Sequence, residues 1–109
     1  MNLLLALLLH DAAADDAPKA PGQVLYASSC AACHGSKGDG KGPAAVALRP
    51  KPTDFTKAAW WNGRTDATIA ASIRAGSPGT AMTPFPALSD EEVNDLVAFL
   101  HTFKPAPAP

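Results

Sequence analysis

Residues 30 to 34 read Cys30-Ala31-Ala32-Cys33-His34, a C-x-x-C-H run with direct chemical consequences. Positions three apart on a turn of helix share a face, with Cβ atoms about 5–6 Å apart. Two thiols so placed can reach the vinyl groups on one side of a haem and close thioethers with them. The next residue brings an imidazole that can swing beneath the iron as the proximal axial ligand. The cofactor expected from the motif is one haem c, attached covalently through Cys30 and Cys33, with His34 on the iron. Two plainer chemistries use the same residue types. A C-x-x-C disulfide oxidoreductase also sets thiols three apart, but it wants strand–helix alternation around the motif, and none is visible. A structural zinc site takes four ligands, which here, with His10 set aside in the leader, would have to be Cys30, Cys33, His34 and His101.

A proximal histidine alone leaves iron open to oxygen, peroxide or nitric oxide. A second strong ligand closes it and leaves electron transfer as the easy chemistry. The chain has two methionines, and one is Met1, so Met82 is the candidate sixth ligand. It stands in Gly79-Thr80-Ala81-Met82-Thr83-Pro84-Phe85, where Pro78, Pro84 and Pro86 fix φ and stiffen the loop. Filling a gap in the core is the plainer role for a methionine. A lone methionine in a Gly/Pro loop, away from any apolar helix face, argues for ligation instead. His101 competes for the same place, although a histidine near a helix end commonly does no more than meet the terminus.

Three helical patterns must position these groups. The first runs from about Gly22 to Cys33, with Pro21 at its start and Val24, Leu25 and Tyr26 as apolar content. The second spans about Asp66 to Ala75: Thr65 or Asp66 can cap it, Ile69 and Ile73 stand one turn apart, and Gly76 ends it. In the third, Ser89 and Glu92 form an S-x-x-E capping box ahead of Val93, Leu96, Val97, Leu100 and Phe103. A further turn of helix between Asp54 and Trp61 is weakly signalled. Between the patterns lie Gly35 to Pro52 and Gly76 to Leu88, almost without periodicity. Loops of that length argue against a compact domain unless they serve a function, and wrapping a ring is such a function. No alternation suggests a sheet, so the expected class is all-α, three main helices with long Gly/Pro loops around one covalent haem.

With 109 residues the chain is one domain at most, and four Phe, two Trp and one Tyr make a thin core. A large apolar ring would supply the missing interior. The net charge of −1 conceals an asymmetry. From Cys30 to Ala75 seven bases (Lys37, Lys41, Arg49, Lys51, Lys57, Arg64, Arg74) face three acids, whereas Ser89 to Lys104 holds four acids and one base. That pattern is either ordinary solvated surface or a positive rim that steers an acidic partner. Scattered bases without a clustered patch give no expectation of nucleic-acid binding.

Residues 1–20 begin with an apolar run, Leu3 to Leu9, far short of the ~20 residues of a membrane span. With Ala12-Ala13-Ala14 as a candidate cleavage site, they are expected to be a weak or truncated export signal, or a disordered leader, lacking the usual preceding Lys or Arg. The folded domain is expected over residues 21–104, followed by a Pro/Ala tail at 105–109.

The Cys30-to-Gly35 stretch, Gly38-Asp39-Gly40-Lys41-Gly42-Pro43, the Gly76-to-Met82 segment and the closing Leu88-to-Leu100 helix together resemble the class I c-type cytochromes, in particular small bacterial mono-haem domains. The likeness covers about Gly22 to Phe103; it departs at Thr83, where a proline often follows the methionine. It implies that the Pro43 carbonyl accepts the His34 Nδ1 proton, and that Arg49 and one of Trp60 or Trp61 bind a haem propionate. It also implies that Gly22 and Tyr26 pack the first helix against Leu96, Val97 and Leu100. The implied function is a one-electron carrier, not an enzyme, exported to the periplasm, soluble or peripherally membrane-associated, monomeric, and exchanging electrons with redox proteins such as membrane respiratory complexes. The alternatives are an electron-entry module of a larger oxidoreductase and, further off, a gas sensor or peroxidase-like protein with a displaceable sixth ligand.

Overall fold

The structure, a computed structural model, describes residues 20–107. The expected leader therefore lies outside the described residues apart from Ala20. The helices among them are α1 (Pro21–Ser29), α2 (Ala31–His34), α3 (Ala58–Trp61), α4 (Asp66–Ala75) and α5 (Asp90–Leu100), with 3₁₀ turns at Pro43–Ala47 and His101–Phe103. No strand occurs among the described residues, and the fold is all-α.

Crossing of α1 against α5 organises the molecule. Gly22 makes it possible: a Cβ there would lie 2.1 Å from the Asp95 carbonyl oxygen and 2.9 Å from the Phe99 Cβ. One turn on, Tyr26 is buried against the apolar face of α5, where Val93, Leu96, Val97 and Leu100 are all 5% exposed or less. Ile69 and Ile73 of α4 close the core from the other side. The expected packing of Gly22 and Tyr26 on the last helix is what the structure contains.

Local chemistry sets the helix ends. Ser89 Oγ accepts the Glu92 N–H at 3.0 Å, and the Glu92 carboxylate accepts the Ser89 N–H at 2.9 Å. Thr65, not Asp66, caps α4, in a reciprocal exchange with Thr68. Arg74, near the end of α4, donates to the Leu88 carbonyl at 3.1 Å and pairs with the Asp90 carboxylate. That guanidinium ties the end of α4 to the start of α5 across the intervening loop.

Two expectations need correction. The first helix does not run unbroken to Cys33: at Cys30 the backbone leaves helical geometry (φ −124°), so α1 stops and α2 restarts at Ala31. The weak Asp54–Trp61 turn contracts to Ala58–Trp61, because the Asp54 carboxylate is engaged with the Thr56 N–H and hydroxyl in a turn of its own.

Candidate cofactor site

The two long loops meet α2 and α4 around a cavity of about 370 Å³, within the ~300–1,000 Å³ typical of cofactor pockets. Cys30, Cys33 and His34 open onto it from the α1–α2 break, and Met82 from the second loop. Leu48, Phe55, Ile69, Ile73, Phe85 and Leu100 give it apolar walls. The structure thus brings together four groups that the sequence spreads from position 30 to position 82.

Both cysteines are free thiols and half-buried. Burial, with Cys33 close by, pushes the Cys30 thiol up to about 11. His34 is shifted the other way: burial lowers its pKa, opposed by the hydrogen bond to the Thr53 carbonyl. That bond spans 3.1 Å from Nδ1. A carbonyl can only accept, so the proton sits on Nδ1 and the Nε2 lone pair is left for a metal. Phe55 stacks on the imidazole, ring centroids 4.7 Å apart, and fixes its plane.

Thr53 therefore takes the place expected of Pro43. Pro43 heads a 3₁₀ turn, and the preceding Gly42 N–H is bonded to the Cys33 carbonyl. The Phe55 N–H reaches the Gly38 carbonyl at 2.7 Å, which draws residues 53–55 alongside the histidine. Arg49 is likewise elsewhere: it is exposed and donates to the carbonyls of Leu48 and Val46 on its own turn, while Lys51 and Arg64 are the cations lining the cavity. Of the tryptophan pair, Trp60 lines the cavity. Trp61 is buried, its indole N–H committed to the Phe55 carbonyl at 2.8 Å.

Sequence reasoning did not single out Arg64 or Thr53 as site residues. Arg64 donates through Nε to the Trp60 carbonyl at 2.6 Å and lies 4.7 Å over the Trp60 ring, which aims a guanidinium at the cavity rim. Its spacing of four from Trp60 was the available signal. Thr53 carried none, since its role depends on how the loop folds back. His101 stands apart, paired with Asp66 at 2.7 Å and 4.9 Å from the Trp61 ring. The four-ligand zinc set consequently does not assemble, and no group of three His, Cys, Asp or Glu side chains among the described residues is placed to hold a metal ion.

The residues fit a covalently held haem. Two unpaired thiols sit beside an imidazole with the correct tautomer, apolar walls suit a flat ring, and Lys51 and Arg64 suit its carboxylates. No described helix is long and apolar enough to cross a membrane.

Comparison with known proteins places the chain in a family. The Cytochrome c family model matches residues 19–104. Cytochrome c-554(547) of Halothiobacillus neapolitanus is 34% identical over 88 residues, covering 78% of this chain and 96% of that protein. Among solved structures, a chain of the Kuenenia stuttgartiensis reducing HAO-like protein complex superposes with TM-score 0.69 at 29% identity, over 84% of this chain and 47% of that one. The KustC0563 c-type cytochrome superposes with TM-score 0.64 at 32% identity, over 77% of this chain and 98% of that one. The C-x-x-C-H run and the cavity it opens onto lie inside the matched region, and the chain belongs to the cytochrome c family of electron-transfer haem proteins.

Proposed function

We propose that the protein is a one-electron carrier whose haem iron is held between His34 and Met82. The observation that carries this reading is the convergence of Cys30, Cys33, His34 and Met82 on one apolar cavity. When bound, haem supplies a reversible Fe(III)/Fe(II) couple. The thiols of Cys30 and Cys33 anchor the ring, so it does not exchange. Thr53 and Phe55 hold the His34 imidazole in one tautomer and one plane, which keeps Nε2 presented in both oxidation states. With haem bound, Met82 would be the second group to hold the iron and would deny that place to small ligands, and a thioether would favour ferrous iron. Arg64, Lys51 and Trp60, rather than Arg49 and Trp61, receive the propionates.

Partners are redox proteins met in brief encounters, which bury little surface and bind weakly. The bases Lys37, Lys41 and Lys57, which make no ion pair among the described residues, support steering of an acidic partner, whereas Arg74 is taken up by Asp90. The protein works as a monomer in the periplasm, where c-type haem is attached. A second reading, as the electron-entry module of a larger oxidoreductase, draws on one observation: the chain matches about half of a chain from a reducing HAO-like protein complex.

Optical spectra of the oxidised and reduced holoprotein, wild type and Met82→Ala, test the ligation. Wild type should show low-spin haem with the far-red methionine–iron band; the variant should lose the band and bind carbon monoxide quickly. A high-spin wild type that binds carbon monoxide readily would overturn the carrier reading in favour of a sensor or enzyme.

A further inference from the structure

We propose that the Thr80 hydroxyl is the positioning group for Met82, fastening the backbone that carries the sixth ligand. The inference rests on the proposed Met82 ligation and adds how that ligand is held.

The loop after α4 turns back on itself within six residues. Thr80 N–H bonds the Ser77 carbonyl at 3.1 Å, closing a turn with Pro78 at its first central position and Gly79 (φ +79°) at its second. Those are the demands of a type II turn. The turn delivers Thr80 to a place where its hydroxyl works in both directions. It donates to the Ser77 carbonyl at 2.6 Å and accepts the Met82 N–H at 3.2 Å. On the other side of the same residue, the Met82 carbonyl accepts the Ser77 N–H at 3.1 Å. Met82 is thus gripped at its amide nitrogen by Thr80 and at its carbonyl by Ser77.

The arrangement demands a hydroxyl. Only a group that donates and accepts at one atom can bridge the Ser77 carbonyl and the Met82 amide. Valine matches threonine in shape and does neither, and serine does both. Thr80 is exposed at the cavity rim, so filling space in the core is not what the position asks of it. Neighbouring Pro78 and Pro84 limit the loop's conformations, but they cannot set the angle at which residue 82 faces the cavity. Hydrogen bonds at the Met82 peptide do.

The holoprotein is titrated with imidazole, which must displace Met82 to reach the iron, while the far-red methionine–iron band is followed. Loss of the fastening should let Thr80→Val release the methionine at about three- to tenfold lower imidazole, the scale of the one hydrogen bond lost at the Met82 amide. Thr80→Ser should stay within about twofold of wild type, since it keeps the hydroxyl. In the wild type, hydrogen exchange at the Met82 amide should be slowed at least about tenfold relative to an unstructured peptide. A Thr80→Val midpoint equal to wild type, or a Thr80→Ser midpoint shifted as far as that of valine, overturns the inference. Should Thr80→Val fail to accumulate, the wild-type amide decides, and unslowed exchange overturns it. The ligation reading fails separately: the far-red band would then be missing from the wild type itself.

Discussion

The α1–α4–α5 scaffold and the loops around the cavity are built on different principles. The scaffold is held by side chains: capped helices, a Gly22 contact at backbone distance, and an apolar stripe on α5 buried almost completely. The loops are held mainly by backbone groups, such as Gly40 N–H to the His34 carbonyl at 2.8 Å and Ser77 N–H to the Met82 carbonyl at 3.1 Å. Their apolar side chains face the cavity more than one another. Stability therefore resides chiefly in the first region and ligand geometry in the second. The division suits an electron carrier, which needs a rigid frame and an iron environment that changes little between oxidation states.

Substitutions can test whether the two regions are as separable as this implies. The largest loss should come from Gly22→Val in the scaffold, because its Cβ would fall 2.1 Å from the Asp95 carbonyl oxygen. Guanidinium unfolding of the holoprotein should show about 3 kcal/mol or more of destabilisation. A variant with wild-type stability and native haem content would mean that the helix contact is not what holds the frame.

Gly76→Ala strikes the other region. Gly76 sits at φ +72°, and a Cβ there would lie 2.7 Å from the Met82 carbonyl oxygen. The expected cost is about 1–3 kcal/mol, with a weakened far-red band and unchanged far-ultraviolet helix signal. Equal damage to both signals would show that the loop and the frame unfold as one unit.

Ser89→Ala removes a cap and should cost about 1 kcal/mol while leaving both haem spectra as they were. The smallest effect is expected of Thr56→Val. The Thr56 hydroxyl, and after it the Thr56 N–H and nearby Lys57 and Lys41, hold the Asp54 carboxyl below its ordinary 3.8 against a smaller opposing effect of burial. A carboxyl depressed in the folded state contributes stability that is complete above its unfolded value and fades as pH falls through the folded one. NMR titration of the variant should therefore show the Asp54 midpoint moving up. Its stability should differ from wild type by under about 0.5 kcal/mol, and only above roughly pH 4. A difference that grows on acidification would have the wrong sign.

The helical frame was legible because its signals are local. A capping box at Ser89–Glu92 and isoleucines one turn apart at Ile69 and Ile73 can each be read within a dozen residues, whereas the Gly22 contact with the last helix came from the family resemblance. The haem-attachment chemistry was legible for the same reason, since Cys30, Cys33 and His34 are neighbours in the chain. What failed to read was every contact that depends on loop path. Pro43 and Arg49 were natural guesses for residues beside the cofactor, yet the histidine's partner is Thr53 and the cations on the cavity are Lys51 and Arg64. Nothing periodic marks a residue whose role is a single carbonyl.

By itself, then, the sequence determined that this is a helical protein built to carry covalent haem, because thioether attachment needs two thiols and an imidazole at one fixed spacing. It also nominated Met82, by leaving no other methionine beyond the first residue. Only the tertiary structure decided which carbonyl sets the His34 tautomer, which tryptophan lines the cavity and which is spent on the core, and how the Met82 peptide is gripped. Those outcomes come from hydrogen bonds between segments distant in the chain or within an aperiodic turn. Their geometry is fixed by how the loops close on the scaffold, and no residue type announces it in advance.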